Sequence, residues 1–208
     1  QTVDALALGY GRQVSFYRGL WSPDGSVVSA EQSIGNGFQF WTSDGTPVPT
    51  PQEPEHNTPG WWQFDDPTRR PDGSVPPELE GSPKPDNYVK YAWSPDGWLA
   101  AASWHDQSVR IWNSNGKLVA TCLGHRGGVE SVAWSPDGLR LASGGGDSVR
   151  VWGRDGNELA VMTGHADEVY GVAWSPDGER IASAGTDSTV RLWTPDGKPG
   201  PVLRGHQG

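Results

Sequence analysis

Five histidines, a single cysteine and a glycine-rich run are the residues of this chain whose types could carry chemistry, and their spacing decides which chemistry is available. His125, His165 and His206 recur 40 and 41 residues apart, whereas a metal site draws its ligands from clusters only three to five residues apart. His56 and His105 are isolated. One histidine per long period points to a structural role repeated along the chain. Nothing in the sequence matches a serine nucleophile elbow, a phosphate-cradling glycine loop followed by Lys, or a histidine-glutamate metal motif. The run "SGGGDS" at 143–148 has the glycines of a phosphate loop, but it lies between two short apolar segments and no helical pattern follows it. Asp65 and Asp66 form a carboxylate pair inside a proline-rich stretch, with no acid-base partner that the sequence identifies. Cys122, the only cysteine, allows no disulfide and reads as a small buried hydrophobe. These residues imply no enzyme, no cofactor and no metal.

The elements that must hold such residues are set by a repeat. "WSPDG" stands at 21–25, 93–97, 134–138 and 174–178, so its tryptophans are 72, 41 and 40 residues apart. A period near 40 is the mark of a repeat architecture. In the last copy "EVYGVAW", "RIAS", "TVRLW" and "GPVLR" are four short apolar runs, rich in β-branched and aromatic residues and too short for helices. Ser-Pro-Asp-Gly between the first two runs is hairpin chemistry: Pro presets φ, and Gly takes the left-handed position that reverses the chain. A four-stranded meander of this length cannot bury both its faces, so the copies must stack on one another.

A Gly-His pair, an aromatic-Ser-Pro-Asp-Gly turn, then Ser, Asp and Trp at fixed offsets resemble the WD-repeat β-propeller family, most clearly over 86–206. The Trp-Asp dipeptide itself is missing, because Trp112, Trp152 and Trp193 precede Asn113, Gly153 and Thr194. The resemblance implies an all-β fold: a propeller of four-stranded antiparallel blades forming an incomplete arc of four to five. It divides the chain into a degenerate first blade with a preceding outer strand (1–50), a proline-rich insertion or eroded blade (51–85), and blades at 86–124, 125–164 and 165–208, the last including the start of another repeat. It further implies two complete hydrogen-bonded networks, one of His125, Ser143, Asp147 and Trp152, the other of His165, Ser183, Asp187 and Trp193. In the blade before them Lys84 and Ala102 replace His and Ser, which leaves Asp106 and Trp112 and predicts a looser blade. The near-identical repeats resemble bacterial-type ones, and a chain that opens on Gln1 reads as a fragment of a longer protein.

In the first 92 residues, aligning on Trp21 puts Arg12 at the His position and Ala30 at the Ser position, with "DALALG" as an outer strand. Residues 51–85 hold nine prolines in 35 positions, a composition that disfavours central strands.

The charge narrows the partners. With 25 acidic against 16 basic residues and a net charge of -9, the chain offers little to nucleic acid or to an anionic membrane, both of which reward clustered Lys and Arg. No run of 18 apolar residues occurs. Reduced-thiol usage fits a cytoplasmic setting, and a protein or peptide partner fits the charge. Self-association is the further expectation for an open arc with exposed edges. By resemblance, partner-facing positions on the inner strand fall at Val89, Glu130 and Tyr170, with Glu168 two residues before the last. Trp104 and His105 occupy a turn where other copies carry small residues, and Trp104 either meets a partner or packs on a neighbouring loop, with Trp61 or Trp62 beside it. The reading is a non-catalytic binding scaffold, with two alternatives: a regulatory module of a larger bacterial signalling ATPase or kinase, and an enzymatic propeller.

Overall fold

The computed structural model of the protein describes residues 16–21, 25–32, 38–48 and 89–205. The proposed outer strand "DALALG", Arg12, Lys84, the proline-rich segment, Trp61 and Trp62, His56 and His206 lie outside the described residues. Among those described there is no helix, and the strands form four antiparallel four-stranded sheets. The first holds β1 (Phe16–Trp21), β2 (Val27–Gln32), β3 (Phe38–Thr42) and β4 (Pro47–Val48). In the second are β5 (Val89–Trp93), β6 (Leu99–Ser103), β7 (Ser108–Trp112) and β8 (Leu118–Leu123). β9 (Val129–Trp134), β10 (Arg140–Gly145), β11 (Ser148–Gly153) and β12 (Glu158–Thr163) make the third. The fourth consists of β13 (Val169–Trp174), β14 (Ile181–Gly185), β15 (Thr189–Trp193) and β16 (Pro199–Arg204).

Each sheet is a simple meander, and burial follows the strand order. The second strands β6 and β14 are buried at every position, as a strand covered on both faces must be. The last strands β8, β12 and β16 are largely exposed and each tucks in one apolar side chain, Cys122, Met162 and Leu203 respectively. Burial pushes the Cys122 thiol up to about 12, so it is an inert core residue.

The cores lie between sheets. Val109, Ile111 and Cys122 of the second sheet meet Val129, Trp134 and Trp152 of the third. Val149, Val151 and Met162 of the third meet Val172, Trp174 and Trp193 of the fourth. Trp21, Val28 and Trp41 of the first sheet close on Ala182, Leu192 and Leu203 of the fourth. The spatial order is therefore second, third, fourth, first: β9 packs on β5 and β6, β13 on β9 and β10, and β1 on β13 and β14. The blade nearest the start of the chain sits beyond the one nearest its end, a placement that no local sequence signal announces.

The repeated phrase explains how neighbours engage. In each full copy the Ser hydroxyl donates to the Asp carboxylate, as Ser135 Oγ does to Asp137 Oδ1 at 2.6 Å. The same Ser135 Oγ accepts the Arg140 N–H at 2.9 Å, and Asp137 Oδ1 accepts the Leu139 N–H at 2.9 Å. These donors hold the Asp137 carboxyl below its ordinary value, the Ser135 hydroxyl most of all. Gly138 has φ 67°, a left-handed conformation that favours glycine. The turns also touch in series: a Cβ built on Gly138 would lie 3.6 Å from Pro95 Cδ, one on Gly178 3.7 Å from Pro136 Cδ, and one on Gly25 3.6 Å from Pro176 Cδ. The Trp ahead of the turn crosses to the preceding sheet. Trp134 Nε1–H donates to the Ala92 carbonyl at 3.1 Å and Trp174 Nε1–H to the Ala133 carbonyl at 3.0 Å, each contributing about 0.5–1.5 kcal/mol beyond the burial of the ring. Trp21 packs in the cluster that includes Ala173, but its Nε1 bonds to nothing among the described residues.

Candidate protein-binding face

Two kinds of segment meet at the end of the sheets opposite the Ser-Pro-Asp-Gly turns: the turn between second and third strands, and the link from each last strand to the next sheet. Their backbones are tied together. The Val169 N–H donates to the Gly146 carbonyl at 2.7 Å, and the Thr186 N–H to the Glu168 carbonyl at 2.9 Å. A buried relay fixes each link to its sheet. In the fourth sheet Trp193 Nε1–H donates to Ser183 Oγ at 2.8 Å, and Ser183 Oγ lies 2.8 Å from His165 Nε2. His165 Nδ1 is 3.0 Å from both oxygens of Asp187. A carboxylate can only accept, so Nδ1 carries the proton, Nε2 is the acceptor, and the serine hydroxyl passes the chain of donors from indole to imidazole. Asp187 also accepts the Ala166 N–H at 3.0 Å and the Thr189 hydroxyl at 2.7 Å, which ties the turn to the link.

The third sheet corrects the expectation of two equivalent networks. Trp152 Nε1–H donates to Ser143 Oγ at 2.8 Å, and Ser143 Oγ lies 2.7 Å from His125 Nε2. His125 Nδ1–H, however, donates to the Gly145 carbonyl at 3.0 Å and makes no hydrogen bond to Asp147, which is exposed. The reason is one missing residue. Ser143 and Trp152 are nine apart and Ser183 and Trp193 ten, so Gly146-Asp147 is a two-residue hairpin closed by the Gly145–Ser148 pair, too short to fold its carboxylate back. Asp187→Asn is therefore expected to cost about 1–3 kcal/mol and Asp147→Asn less than about 0.5 kcal/mol. Urea denaturation of the two variants checks this, and equal losses would contradict it.

In the second sheet Ala102 leaves no such relay. Asp106 instead accepts the Ser108 hydroxyl at 2.7 Å and pairs with Arg110 at 2.6 Å. Burial opposes its ionisation, but the Ser108, Ser103 and Arg110 donors prevail and bring its carboxyl down to about 2.

On this framework the structure places the sequence-predicted contacts. Trp104, 44% exposed, lies with its ring against the link into the third sheet; a Cβ on Gly128 would fall 2.0 Å from Trp104 Cδ1. His105 stands edge-on to it, ring centroids 5.2 Å apart. Of the two settings expected for Trp104, the neighbouring loop is thus present, formed by Gly128, while part of the ring still faces out. Glu130 and Tyr170 are equivalent: each falls where the pairing of first and second strands shifts register, between the Val129–Gly145 and Ser131–Gly144 pairs and between Val169–Gly185 and Gly171–Ala184. A bulge re-aims its side chain. Glu130 is buried, with 6% exposure, whereas Tyr170 is half-buried and Glu168 exposed. Burial, then the nearby Glu168, raises the Glu130 carboxyl above its ordinary value, and Lys90 works the other way. Ser131 was missed: its Oγ accepts the Val172 N–H at 3.2 Å and joins two inner strands. Gly128 was missed too, although it replaces the Glu of the next copy just where Trp104 replaces a glycine. Among the described residues no group of three or more His, Cys, Asp or Glu is placed to hold a metal ion, and no helix is long and apolar enough to cross a membrane.

Comparison with known proteins agrees with this geometry. A 50-residue stretch is 50% identical to the small ribosomal subunit protein RACK1y of Oryza sativa subsp. japonica, covering 24% of this chain and 15% of that protein. A 62-residue stretch is 36% identical to the U5 small nuclear ribonucleoprotein 40 kDa protein of Pongo abelii, covering 29% and 17%. Over 55 residues the chain is 36% identical to the F-box-like/WD repeat-containing protein TBL1Y of Homo sapiens, covering 26% and 10%. The chain thus spans no more than 17% of the length of any of these three. All three are eukaryotic, and the bacterial type suggested by the turn sequences finds no support in them. The family described as "WD domain, G-beta repeat" matches residues 116–153 and 156–194, so each match runs from the last strand of one sheet through the third strand of the next, and the chain carries two WD40 repeats there.

Proposed function

We propose that this protein is a non-catalytic scaffold that binds a protein or peptide on the face built by the links 124–128 and 164–168 and the adjoining turns. The observation that carries this reading is Trp104, a large aromatic ring held partly exposed on a glycine seat with His105 against it. Aromatic side chains fixed on rigid turns are the usual anchors of protein interfaces. Relatives among WD-repeat proteins support a scaffold role, and the names of two of them place those two in ribonucleoprotein particles. In this chain the charge of -9 points to a protein surface and not to nucleic acid.

The experiment is affinity capture with the full chain and with Trp104→Ala and Tyr170→Ala. Each variant is expected to weaken capture about tenfold, the scale of one interface anchor, while leaving Tm within about 2 °C of the parent. Undiminished capture by both folded variants would remove this face from consideration.

A further inference from the structure

We infer that Arg191 and Arg204 form an anchor for an acidic side chain, the carboxylate of a glutamate or aspartate in a bound peptide, beside the start of the link 164–168. This rests on the scaffold reading and adds the chemistry of the ligand. The third strands of the second, third and fourth sheets carry one arginine each at matching positions, Arg110, Arg150 and Arg191. Two of them hold a carboxylate of their own sheet: Arg110 pairs with Asp106 at 2.6 Å, and Arg150 pairs with Glu158. Arg191 is half-buried, its side chain makes no hydrogen bond or ion pair among the described residues, and its Nε is buried without a partner. Arg150 Nε is bare as well, but Glu158 engages its Nη1.

The strand register explains the difference. Glu158 lies opposite Trp152, and its counterpart opposite Trp193 is Pro199. Thr163 lies opposite Ser148, and its counterpart opposite Thr189 is Arg204. The fourth sheet thus loses an acid and gains a base. Val202 is the direct partner of Arg191, which makes Arg204 its diagonal neighbour on the same face, within reach of a long side chain. Arg204 is exposed and likewise forms no ion pair among the described residues. The two sheets otherwise hold their arginines alike. Gly124 and Gly164 both have φ 149°, and a Cβ built on Gly124 would lie 2.8 Å from Arg150 Nη1 and 3.6 Å from Glu158 Oε2. One built on Gly164 would lie 3.0 Å from Arg191 Nη1, with no carboxylate among its nearest atoms. The place that Glu158 takes in the third sheet has no acid in the fourth, where Pro199 and Val202 are exposed. A guanidinium fork receives a carboxylate through two parallel hydrogen bonds, and one already held against the backbone loses little freedom on binding.

The test titrates two blocked tripeptides, Ala-Glu-Ala and Ala-Gln-Ala, and inorganic phosphate into the nitrogen-15 labelled full chain. Saturable shifts of the Arg191 Nε–H and of the Gly164, Val202 and Arg204 amides are expected with the glutamate peptide and not with the glutamine one. Arg191→Gln should weaken that binding at least about fivefold, the scale of a charge-assisted hydrogen bond. Its stem is partly packed, so two variants at exposed positions keep the test independent of folding. Arg204→Gln should weaken binding about twofold to fivefold, and Pro199→Glu, which supplies the acid that the third sheet has, should weaken it at least about fivefold by occupying Arg191 from within; both should leave Tm within about 2 °C of the parent. Equal shifts with the glutamine peptide, unchanged affinity in Pro199→Glu, or tighter binding of phosphate than of the glutamate peptide would each overturn the carboxylate anchor. Its failure with Trp104-dependent capture intact would leave the scaffold reading standing. Failure of that capture with a saturable glutamate site would instead separate the anchor from the Trp104 face and end the peptide-scaffold assignment on which the inference rests.

Discussion

Ser183→Ala is expected to lower stability by about 2–4 kcal/mol, a large loss for the removal of a single oxygen. The hydroxyl accepts the Trp193 indole N–H and reaches the His165 ring, each at 2.8 Å, and both partners are buried. Alanine leaves an indole donor and an imidazole acceptor unpaired, and each buried orphan costs about 1–3 kcal/mol. Converted through the entropy of unfolding of a chain this size, the loss is a Tm drop of roughly 5–15 °C. Ser143→Ala should behave alike, since it has the same two partners. Ser188 supplies the control: its hydroxyl is buried and without a hydrogen-bond partner among the described residues, so Ser188→Ala should change stability by less than about 0.5 kcal/mol. A Ser183→Ala variant as stable as Ser188→Ala in a thermal scan would show that the relay holds nothing together.

Mild acid should weaken the protein well before its carboxylates are titrated. Burial is the main force bringing His125 down to about 4 from 6.5, with the Gly145 carbonyl pulling the other way, so the folded state keeps a neutral ring while the unfolded chain takes up a proton near pH 6.5. The unfolded state then binds more protons throughout that window. Stability due to this group is full above about pH 6.5 and falls as pH drops through 4, by on the order of 3 kcal/mol in total. His165 is lowered for the same reason, with Asp187 opposing, and adds in the same direction. Glu130 has the opposite sign: its folded value is raised, so it gains stability as pH falls and offsets part of the loss. Asp106, held at about 2, contributes stability that disappears only as pH falls through that value. Urea unfolding at about pH 7, 5.5 and 4.5 should therefore give steadily smaller free energies. A flat profile over that range would mean that neither imidazole is kept neutral by the fold.

Much of this could be read before any coordinates. The 40-residue period, the four apolar runs and the Ser-Pro-Asp-Gly chemistry lead to four-stranded meanders because turn type and strand length are local properties. The His165 relay is the one that the resemblance to WD repeats implies. The His125 relay departs from it, since a one-residue difference between Ser143 and Trp152 changes which oxygen the ring can reach, and an alignment on flanking tryptophans conceals it. Trp104 and Gly128 are a lesson of another kind. Each breaks the repeat separately, and only together, 24 residues apart, do they make sense, the ring of one occupying the space the other vacates. The order of the sheets was beyond reach, because Trp21, Val28 and Trp41 are as compatible with one neighbour as with another when only their own hydrophobicity is known.

That order has a kinetic side. The first sheet ends at Val48, and the strand that supplies Leu203 to its core is made some 150 residues later. At about 5–20 residues per second of synthesis, the apolar face of Trp21, Val28 and Trp41 waits on the order of ten seconds for its mate. The other sheets meet a neighbour as soon as the next 40 residues emerge. Of the four sheets described, the first to be synthesised is thus the last to be covered, and the interval before the fourth sheet exists is when its apolar face is most in need of a chaperone.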